Sequence, residues 1–368
     1  TGGSQSTRSP AERQLHGCAV RAHATVTFEG AKPGLVLPEA APYTGRLHIR
    51  PIGIPAMVRR EHPASYQMIT KAIAGAFPEA APGWHKGTAG AILIVGGSEG
   101  LTGAPHLAAR AALRAGGGLI SVAAPHGLCR DIKADCPDIM TRALGPAGNV
   151  RWSPALLEEL LPFLRQCGAM ALGPGIGREP ETAAFVQALL MCPSRPSAVV
   201  DADALHALAM HPEALSSLRA CDVLTPHPGE AATLLHTTPA LVQADRFAAL
   251  AGLRRLAPSV WILKGAGTLI GTEGQPVTIA PYAEPNLAVG GSGDVLSGCL
   301  GTLMAQTAAH PSEGCESSSF LAACMGVHLH ARAGRLLREA FPQRGNSATD
   351  IAEMLPRARI REAAGDGA

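Results

Sequence analysis

The densest chemistry in the sequence lies at Gly290-Gly291-Ser292-Gly293-Asp294. Small side chains there leave backbone N–H groups open to an anion, and a carboxylate follows at once. Val295, Leu296, Cys299, Leu300, Leu303 and Met304 repeat at i, i+1, i+4, i+5, i+8 and i+9. That spacing predicts a helix of about four turns with one apolar stripe. Asp294 is then either a helix cap or a carboxylate held against a bound phosphate. A phosphate and a carboxylate at one helix start suggest phosphoryl chemistry on a hydroxyl group.

Other polar or glycine residues fall just after apolar runs. Lys264 follows Val260-Trp261-Ile262-Leu263 and precedes Gly265-Ala266-Gly267-Thr268, where its ammonium can reach a phosphate as a point charge. His227 stands between two prolines after Val223-Leu224-Thr225, with Glu230 at the next helix start. Its imidazole can stack on a ligand ring, hydrogen-bond it, or be structural. Asp201 and Asp203 end the run Ala198-Val199-Val200, as helix caps or as site carboxylates. Gly173-Pro174-Gly175-Ile176-Gly177 follows Ala169–Leu172, and Gly96 to Ala104 follows Ala91–Val95. Each of these loops alone reads as a turn. Neither matches a P-loop or a dinucleotide fingerprint, a G-x-S-x-G elbow is missing, and no Cys/His spacing suits zinc.

The elements that must position these residues alternate. Helices are expected at Pro105–Ala115, Ala155–Leu164, Thr182–Leu190, Leu241–Leu256, Phe320–Leu337 and Ile351–Arg359, between strands at 91–95, 119–123, 169–172, 198–203, 223–225 and 260–263. Leu269-Ile270 and Pro276–Ile279 read as a hairpin. The pattern predicts an α/β fold with a central, mostly parallel sheet flanked by helices on both faces, and ligand at the carboxyl ends of the strands.

Before this body, Ala24–Phe28 and Arg46–Arg50 read as strands, too few to make a domain. Residues 59–83 read as a linker with one helical stretch around Ser65–Ala76, residues 1 to about 22 as a poorly packed lead-in, and 361–368 as a tail. The first residues lack an initiator Met and a secretion pattern, as in a cut or processed start. A formal charge of +2 with no basic run gives no case for nucleic acid. No apolar run approaches the roughly 20 residues that span a bilayer. Nine scattered cysteines, none in C-x-x-C, read as reduced core thiols and favour the cytoplasm.

Six of these stretches, in order, carry a resemblance: Thr88-Ala89-Gly90 to Gly118, Leu172–Gly177, Val200–Leu205, Leu224–Glu230, Leu263–Thr268 and Gly290–Gly298. Over about residues 80–360 the chain resembles the ADP-dependent NAD(P)H-hydrate dehydratases of the ribokinase-like superfamily. The resemblance implies a dehydratase domain at 84–360, a lyase that returns hydrated NADH and NADPH to their reduced forms. It implies that Ala104, Gly175, Gly177, His227 and Asp294 contact the hydrated dinucleotide. Lys264, Gly265, Ala266, Gly267, Thr268 and Gly293 would bind the adenine nucleotide, and Asp294 would be the catalytic base. ADP is the implied co-substrate, with Mg²⁺ on its diphosphate and no dedicated metal cage; a homo-oligomer without membrane or nucleic-acid partners is expected. Residues 19–58 resemble the last segment of an NAD(P)H-hydrate epimerase domain, whose nucleotide-binding body these 368 residues do not contain, so no epimerase activity is expected. Glu284-Pro285-Asn286 stands where the family commonly has Asn-Pro-Gly. Two other readings stay open: a small-molecule kinase of the same superfamily, and a nucleotide-binding module without catalysis.

Overall fold

The structure is a computed structural model and describes residues 19–78, 80, 82–309 and 318–360. At the N-terminal side, β1 (Ala24–Phe28) and β2 (Arg46–Arg50) pair in parallel as a separate two-stranded sheet. Short helices α1 (Pro33–Val36) and α2 (Ala41–Thr44) join them, and α3 (Ala56–Glu61) follows.

The body alternates as expected. Its elements are β3 (Tyr66–Met68), β4 (Ala91–Val95), α4 (Gly103–Arg114), β5 (Leu119–Pro125), α5 (Cys129–Lys133), β6 (Met140–Leu144), α6 (Leu156–Leu164), β7 (Ala169–Leu172), α7 (Pro180–Met191) and β8 (Ser197–Val200). Then come α8 (Asp203–Met210), β9 (Val223–Leu224), α9 (Pro228–Leu234), α10 (Pro239–Ala244), α11 (Arg246–Arg254), β10 (Val260–Leu263), β11 (Leu269–Gly271) and β12 (Val277–Ile279). Three helices close the chain: α12 (Ser292–Ala309), α13 (Ser318–Leu336) and α14 (Ala348–Ala358).

Ten strands form one sheet in the order β3-β12-β11-β10-β9-β8-β7-β4-β5-β6. Pairing is parallel except for β11, which runs antiparallel to both β10 and β12. Both faces are covered, as β-strands of continuous apolar residues require. One core holds α4, α12, α13 and α14 residues such as Ala108, Leu300, Met325 and Ile351. The other holds Leu160, Phe185, Leu205 and Leu253 from α6, α7, α8 and α11.

Three expectations change. The stretch 59–83 is not a detached linker, and the helix expected at Ser65–Ala76 is a strand followed by a 3-10 turn over Lys71–Ala76. β3 pairs with β12 at the sheet edge, Tyr66 packs edge-on against Phe247, and Ile69 and Phe77 enter the core. Tertiary pairing overrides a weak helical pattern there. The helix expected over Leu241–Leu256 is two, because Asp245 leaves helical geometry and caps the second by accepting from Ala248 N at 2.9 Å. Finally, α12 has no single apolar stripe: Gly298, Gly301, Thr302 and Gln306 on its other sides are buried as well. It runs through the body against α4, α13 and strands β4, β7 and β8. Glycines make that possible. A Cβ at Gly298 would lie 1.9 Å from Ala108 O, and one at Gly301 2.2 Å from Ile92 Cδ1.

Candidate active site

Strand order reverses between β7 and β4, since β5 and β6 build outward on one side and β8 to β10 on the other. Loops leaving neighbouring strands diverge at such a point and open a crevice. Here the two loops are tied back to back. Gly97 N donates to Pro174 O at 3.0 Å, and Ser98 Oγ donates to Gly175 O at 2.9 Å. Gly175 has φ +60, and a Cβ there would meet Leu101 O at 2.5 Å and Ala104 Cβ at 3.0 Å. Ala104 and Gly175 therefore touch. Gly177 N donates to Asp203 Oδ2 at 3.2 Å, and Arg178 Nε to Asp203 Oδ1 at 2.7 Å.

Neither Asp201 nor Asp203 caps α8. The cap position is Ala202, at φ 50 and ψ −124, strained backbone for a residue with a Cβ. That turn sends Asp203 toward Gly177 and Asp201 inward. Asp201 is 1% exposed; its Oδ1 lies 2.7 Å from Lys264 Nζ, and its Oδ2 accepts from Ser297 Oγ at 2.5 Å. Burial opposes its charge, but Lys264 and the hydroxyls of Ser297 and Thr225 outweigh that and hold its carboxyl below the usual range. Burial likewise opposes the Lys264 ammonium, yet Asp201 and Glu230 carry it above its ordinary value. Glu230 Oε2 lies 3.8 Å from Lys264 Nζ.

Asp294, in the first turn of α12, is the group pushed furthest toward a working base. Burial first, then the negative charges of Asp201, Asp203 and Glu230, raise its carboxyl to about 7 against the pull of Lys264. A carboxylate poised near neutrality accepts a proton efficiently. Glu230 is also raised to about 7, chiefly by burial.

His227 is the N-cap of α9. Its Nδ1 accepts from Gly229 N at 2.9 Å and Glu230 N at 3.3 Å, while Glu230 Oε2 accepts from His227 N at 2.7 Å. Those bonds put the ring proton on Nε2. Burial, then Lys264, lowers the His227 pKa, so the imidazole is neutral at neutral pH. It remains at the wall of a cavity of about 810 Å³. Its lining includes Lys264, Gly265, Ala266, Thr268, Ser292 and Gly293, together with the apolar side chains of Leu287, Val289, Leu296 and Val327 and the ring of Tyr282.

Of the expected residues, His227, Lys264, Gly265, Ala266, Thr268 and Gly293 line this one cavity. Gly267 does not: at φ +64 it is buried against the segment after α1, where a Cβ would strike Pro38 Cδ at 2.7 Å. Ala104, Gly175 and Gly177 gather at the two tied loops. Gly291 joins the groups, for a Cβ there would meet Leu107 Cδ1 of α4 at 2.6 Å and Asp294 Oδ2 at 3.9 Å. Asp294 itself is not among the residues lining the cavity, but it feels the charges of Asp201, Lys264, Asp203 and Glu230.

Three contributors escaped sequence reasoning. Arg246 of α11 is buried and donates to Leu263 O at 3.1 Å, Lys264 O at 3.3 Å and Gly267 O at 3.4 Å, holding the 264–268 loop. Nothing in its helical setting marks it. Ser297 stands three residues after Asp294, and that spacing on one helix face was the available signal. His330, buried with its pKa lowered to about 4 by desolvation, lies 3.1 Å through Nε2 from Ser292 Oγ. The departure at Glu284-Pro285-Asn286 is accommodated by a 3-10 turn over Pro285–Leu287. Asn286 Nδ2 donates to Phe341 O at 3.2 Å, its carbonyl accepts from Asn346 Nδ2 at 2.9 Å, and Glu284 pairs with Arg338 at 2.7 Å.

A divalent ion is implied by phosphoryl chemistry. Among the described residues no group of three or more His, Cys, Asp or Glu is gathered to hold one.

A ten-stranded, largely parallel sheet with helices on both faces defines a large α/β protein, and solved structures share that fold. A ribokinase-like superfamily protein from Enterococcus faecalis aligns with a TM-score of 0.67 at 20% identity, over 80% of this chain and 95% of that one. The ADP/ATP-dependent NAD(P)H-hydrate dehydratase of Bacillus subtilis, co-crystallised with ATP and Mg²⁺, aligns with a TM-score of 0.61 at 22% identity, over 78% of this chain and 96% of that one. At those identities the likeness is one of fold. The family follows from sequence: the NAD(P)H-hydrate dehydratase profile matches residues 92–357, and the chain belongs to that family. It is 40% identical over 92% of its length to the bifunctional NAD(P)H-hydrate repair enzyme of Moorella thermoacetica, and 31% identical over 93% to that of Escherichia coli K12. It spans 62% and 61% of those two relatives.

Proposed function

We propose that this chain is an ADP-dependent dehydratase that returns the S epimer of hydrated NADH and NADPH to the reduced dinucleotides. The observation that carries the reading is Asp294: a carboxyl raised to about 7, in the first turn of α12 and one residue past Gly293, which lines the cavity with Lys264. The apolar side chains in the cavity lining suit the adenine ring of Mg·ADP, and Lys264 with the glycine-rich turn suits the diphosphate. Backbone N–H groups of Gly290, Gly291 and Gly293 and the ammonium of Lys264 hold the terminal phosphoryl group, while the N–H of Ser292 is taken by Val289 O. The hydrated nicotinamide sits on the other side of Asp294, toward Ala104, Gly175 and Gly177, with His227 at the rim.

Asp294 takes the proton of the ring hydroxyl as its oxygen attacks the terminal phosphorus of ADP. An O–P bond forms, the bond to the bridging oxygen breaks, and AMP leaves. The ring nitrogen lone pair then expels phosphate by breaking the C–O bond, and loss of the neighbouring proton completes the reduced ring. Phosphate leaves far more readily than hydroxide. The products are NAD(P)H, AMP, inorganic phosphate and a proton.

The test is to incubate the purified chain with hydrated NADH, ADP and Mg²⁺ and follow the absorbance of reduced nicotinamide. Recovery is expected, and none with either ADP or ATP would refute the reading. A stable phosphorylated product without recovery would favour a kinase.

Residues 1–58 are read as the end segment of an epimerase unit. The support is the β1–β2 pair, which leaves Val26, Phe28, Ile49 and Ile52 exposed, too much apolar surface for an independent unit. Among the described residues no helix is long and apolar enough to cross a membrane, and Cys129, Cys136, Cys167, Cys192, Cys221, Cys299 and Cys324 are free thiols.

A further inference from the structure

We propose that Asp201 is a positioning residue of this site: its carboxylate clamps Lys264 and Ser297 in place around Asp294 and keeps Lys264 from closing onto the base. The inference deepens the dehydratase reading and rests on it.

The geometry is that of a three-way tie. Asp201 stands at the end of β8, Lys264 at the end of β10 and Ser297 on α12, three elements that no local sequence rule brings together. One carboxylate oxygen takes the ammonium at 2.7 Å and the other takes the hydroxyl at 2.5 Å. Ser297 Oγ also lies 3.1 Å from Gly293 O, so the tie reaches the turn that offers N–H groups to the phosphate. A Cβ at Gly293 would stand 3.5 Å from Lys264 Nζ and 3.7 Å from Asp201 Oδ2. Asp201 thus lies beside the phosphate-facing turn. It is almost wholly buried and acts through its two partners, not on the reacting atoms.

The charges around Asp294 show why the clamp matters. Asp201 from β8, Asp203 from α8 and Glu230 from α9 face it with negative charge, and Lys264 from β10 is the positive one. Arg178 is taken by Asp203 at 2.7 Å, and His330 of α13 is neutral. With its ammonium committed to Asp201, Lys264 leaves Asp294 basic enough to take a proton. Removing the Asp201 charge takes away a repulsion and frees the ammonium for Asp294, and both changes make Asp294 a weaker base.

The experiment compares wild type with Asp201→Asn. The acid limb of the kcat/KM profile should move down by about one pH unit or more. At the same time kcat should fall on the order of a hundredfold, with a smaller change in KM for ADP. A readout independent of turnover is the infrared band of the protonated Asp294 carboxyl, identified by its loss in Asp294→Asn. Its titration midpoint should fall by a similar amount in Asp201→Asn. An unmoved midpoint or an acid limb at its wild-type place would overturn the proposal. Should Asp201→Asn fail to fold, Ser297→Ala cuts the tie while keeping the charge. Its kcat should drop about tenfold with ADP affinity within about twofold, and a wild-type kcat would overturn the proposal. Absence of wild-type turnover would sink the dehydratase reading, while the infrared titration would still decide the role of Asp201.

Discussion

Replacing Asp294 by Asn should make the protein both catalytically dead and more stable. A carboxyl near 7 in the folded state against 3.8 in the unfolded chain means that folding forces a charge into a place that resists it. At about 1.36 kcal/mol per pH unit, the gap amounts to at most about 4 kcal/mol above pH 7. The amide of Asn is also partly buried and needs hydrogen bonds, so the expected net gain is about 1–3 kcal/mol. The sign follows from proton binding. The folded protein holds this proton more tightly than the unfolded chain, so the penalty is full above about 7 and is relieved as pH falls toward 3.8. Thermal unfolding of wild type and Asp294→Asn at several pH values should show the mutant ahead by several degrees at pH values above about 7, with the lead shrinking toward acid. In the same preparations, dehydration should fall by about 10²–10⁴ while ADP still binds. A mutant less stable than wild type at alkaline pH, or a lead that ignores pH, would refute the strained-base argument even if activity vanished.

Gly293→Ala is sterically mild, since its Cβ would find contacts no closer than 3.5 Å, so it should fold with stability within about 1 kcal/mol of wild type. Its methyl group stands where the phosphate must approach, and calorimetry should show ADP affinity reduced at least about tenfold. Arg246→Ala removes the donors that hold the carbonyls of Leu263, Lys264 and Gly267. Denaturant unfolding should show a loss of about 2–4 kcal/mol, and KM for ADP should rise as the loop loosens. Cys167 and Cys299, whose thiols burial pushes up to about 12, should resist alkylation in the folded protein at pH 8. Rapid labelling of half-buried Cys167 or buried Cys299, read by mass spectrometry, would contradict those raised values.

The fold was legible because each buried strand is a short unbroken apolar run followed by glycine or a polar residue, and that signal is local. β3 was not, since Tyr66-Gln67-Met68 is too short to declare itself and becomes a strand only by pairing with β12. β6 passed unnoticed for a similar reason: Met140-Thr141-Arg142-Ala143-Leu144 is an edge strand with a charged residue and no apolar run. At the site, the phosphate-facing glycines and Lys264 could be read from their place after strands. The partners of Lys264 could not. Asp201 is 63 residues away and Ser297 lies 96 residues from Asp201, and only the strand order brings them together.

The residues that looked most like ordinary caps show why the site needed the fold to be read. His227 does cap its helix, and that bond fixes the tautomer which leaves Nε2 as a donor at the cavity wall. Glu230 completes the same capping box and yet stands 3.8 Å from the ammonium of Lys264. Asp294 sits in a first helical turn, where an aspartate is usually stabilised and made more acidic by the helix dipole. Here burial and three neighbouring carboxylates reverse that expectation and bring it to about 7. A capping role and a catalytic role therefore need not compete for one side chain. The cap sets position, and the charges from other strands decide what the positioned group can do. That division explains why the reactive set draws on the end of β8, on α8, α9 and α12, and on the end of β10 together: Asp201, Asp203 and Glu230 strengthen the base on α12, and Lys264 restrains it.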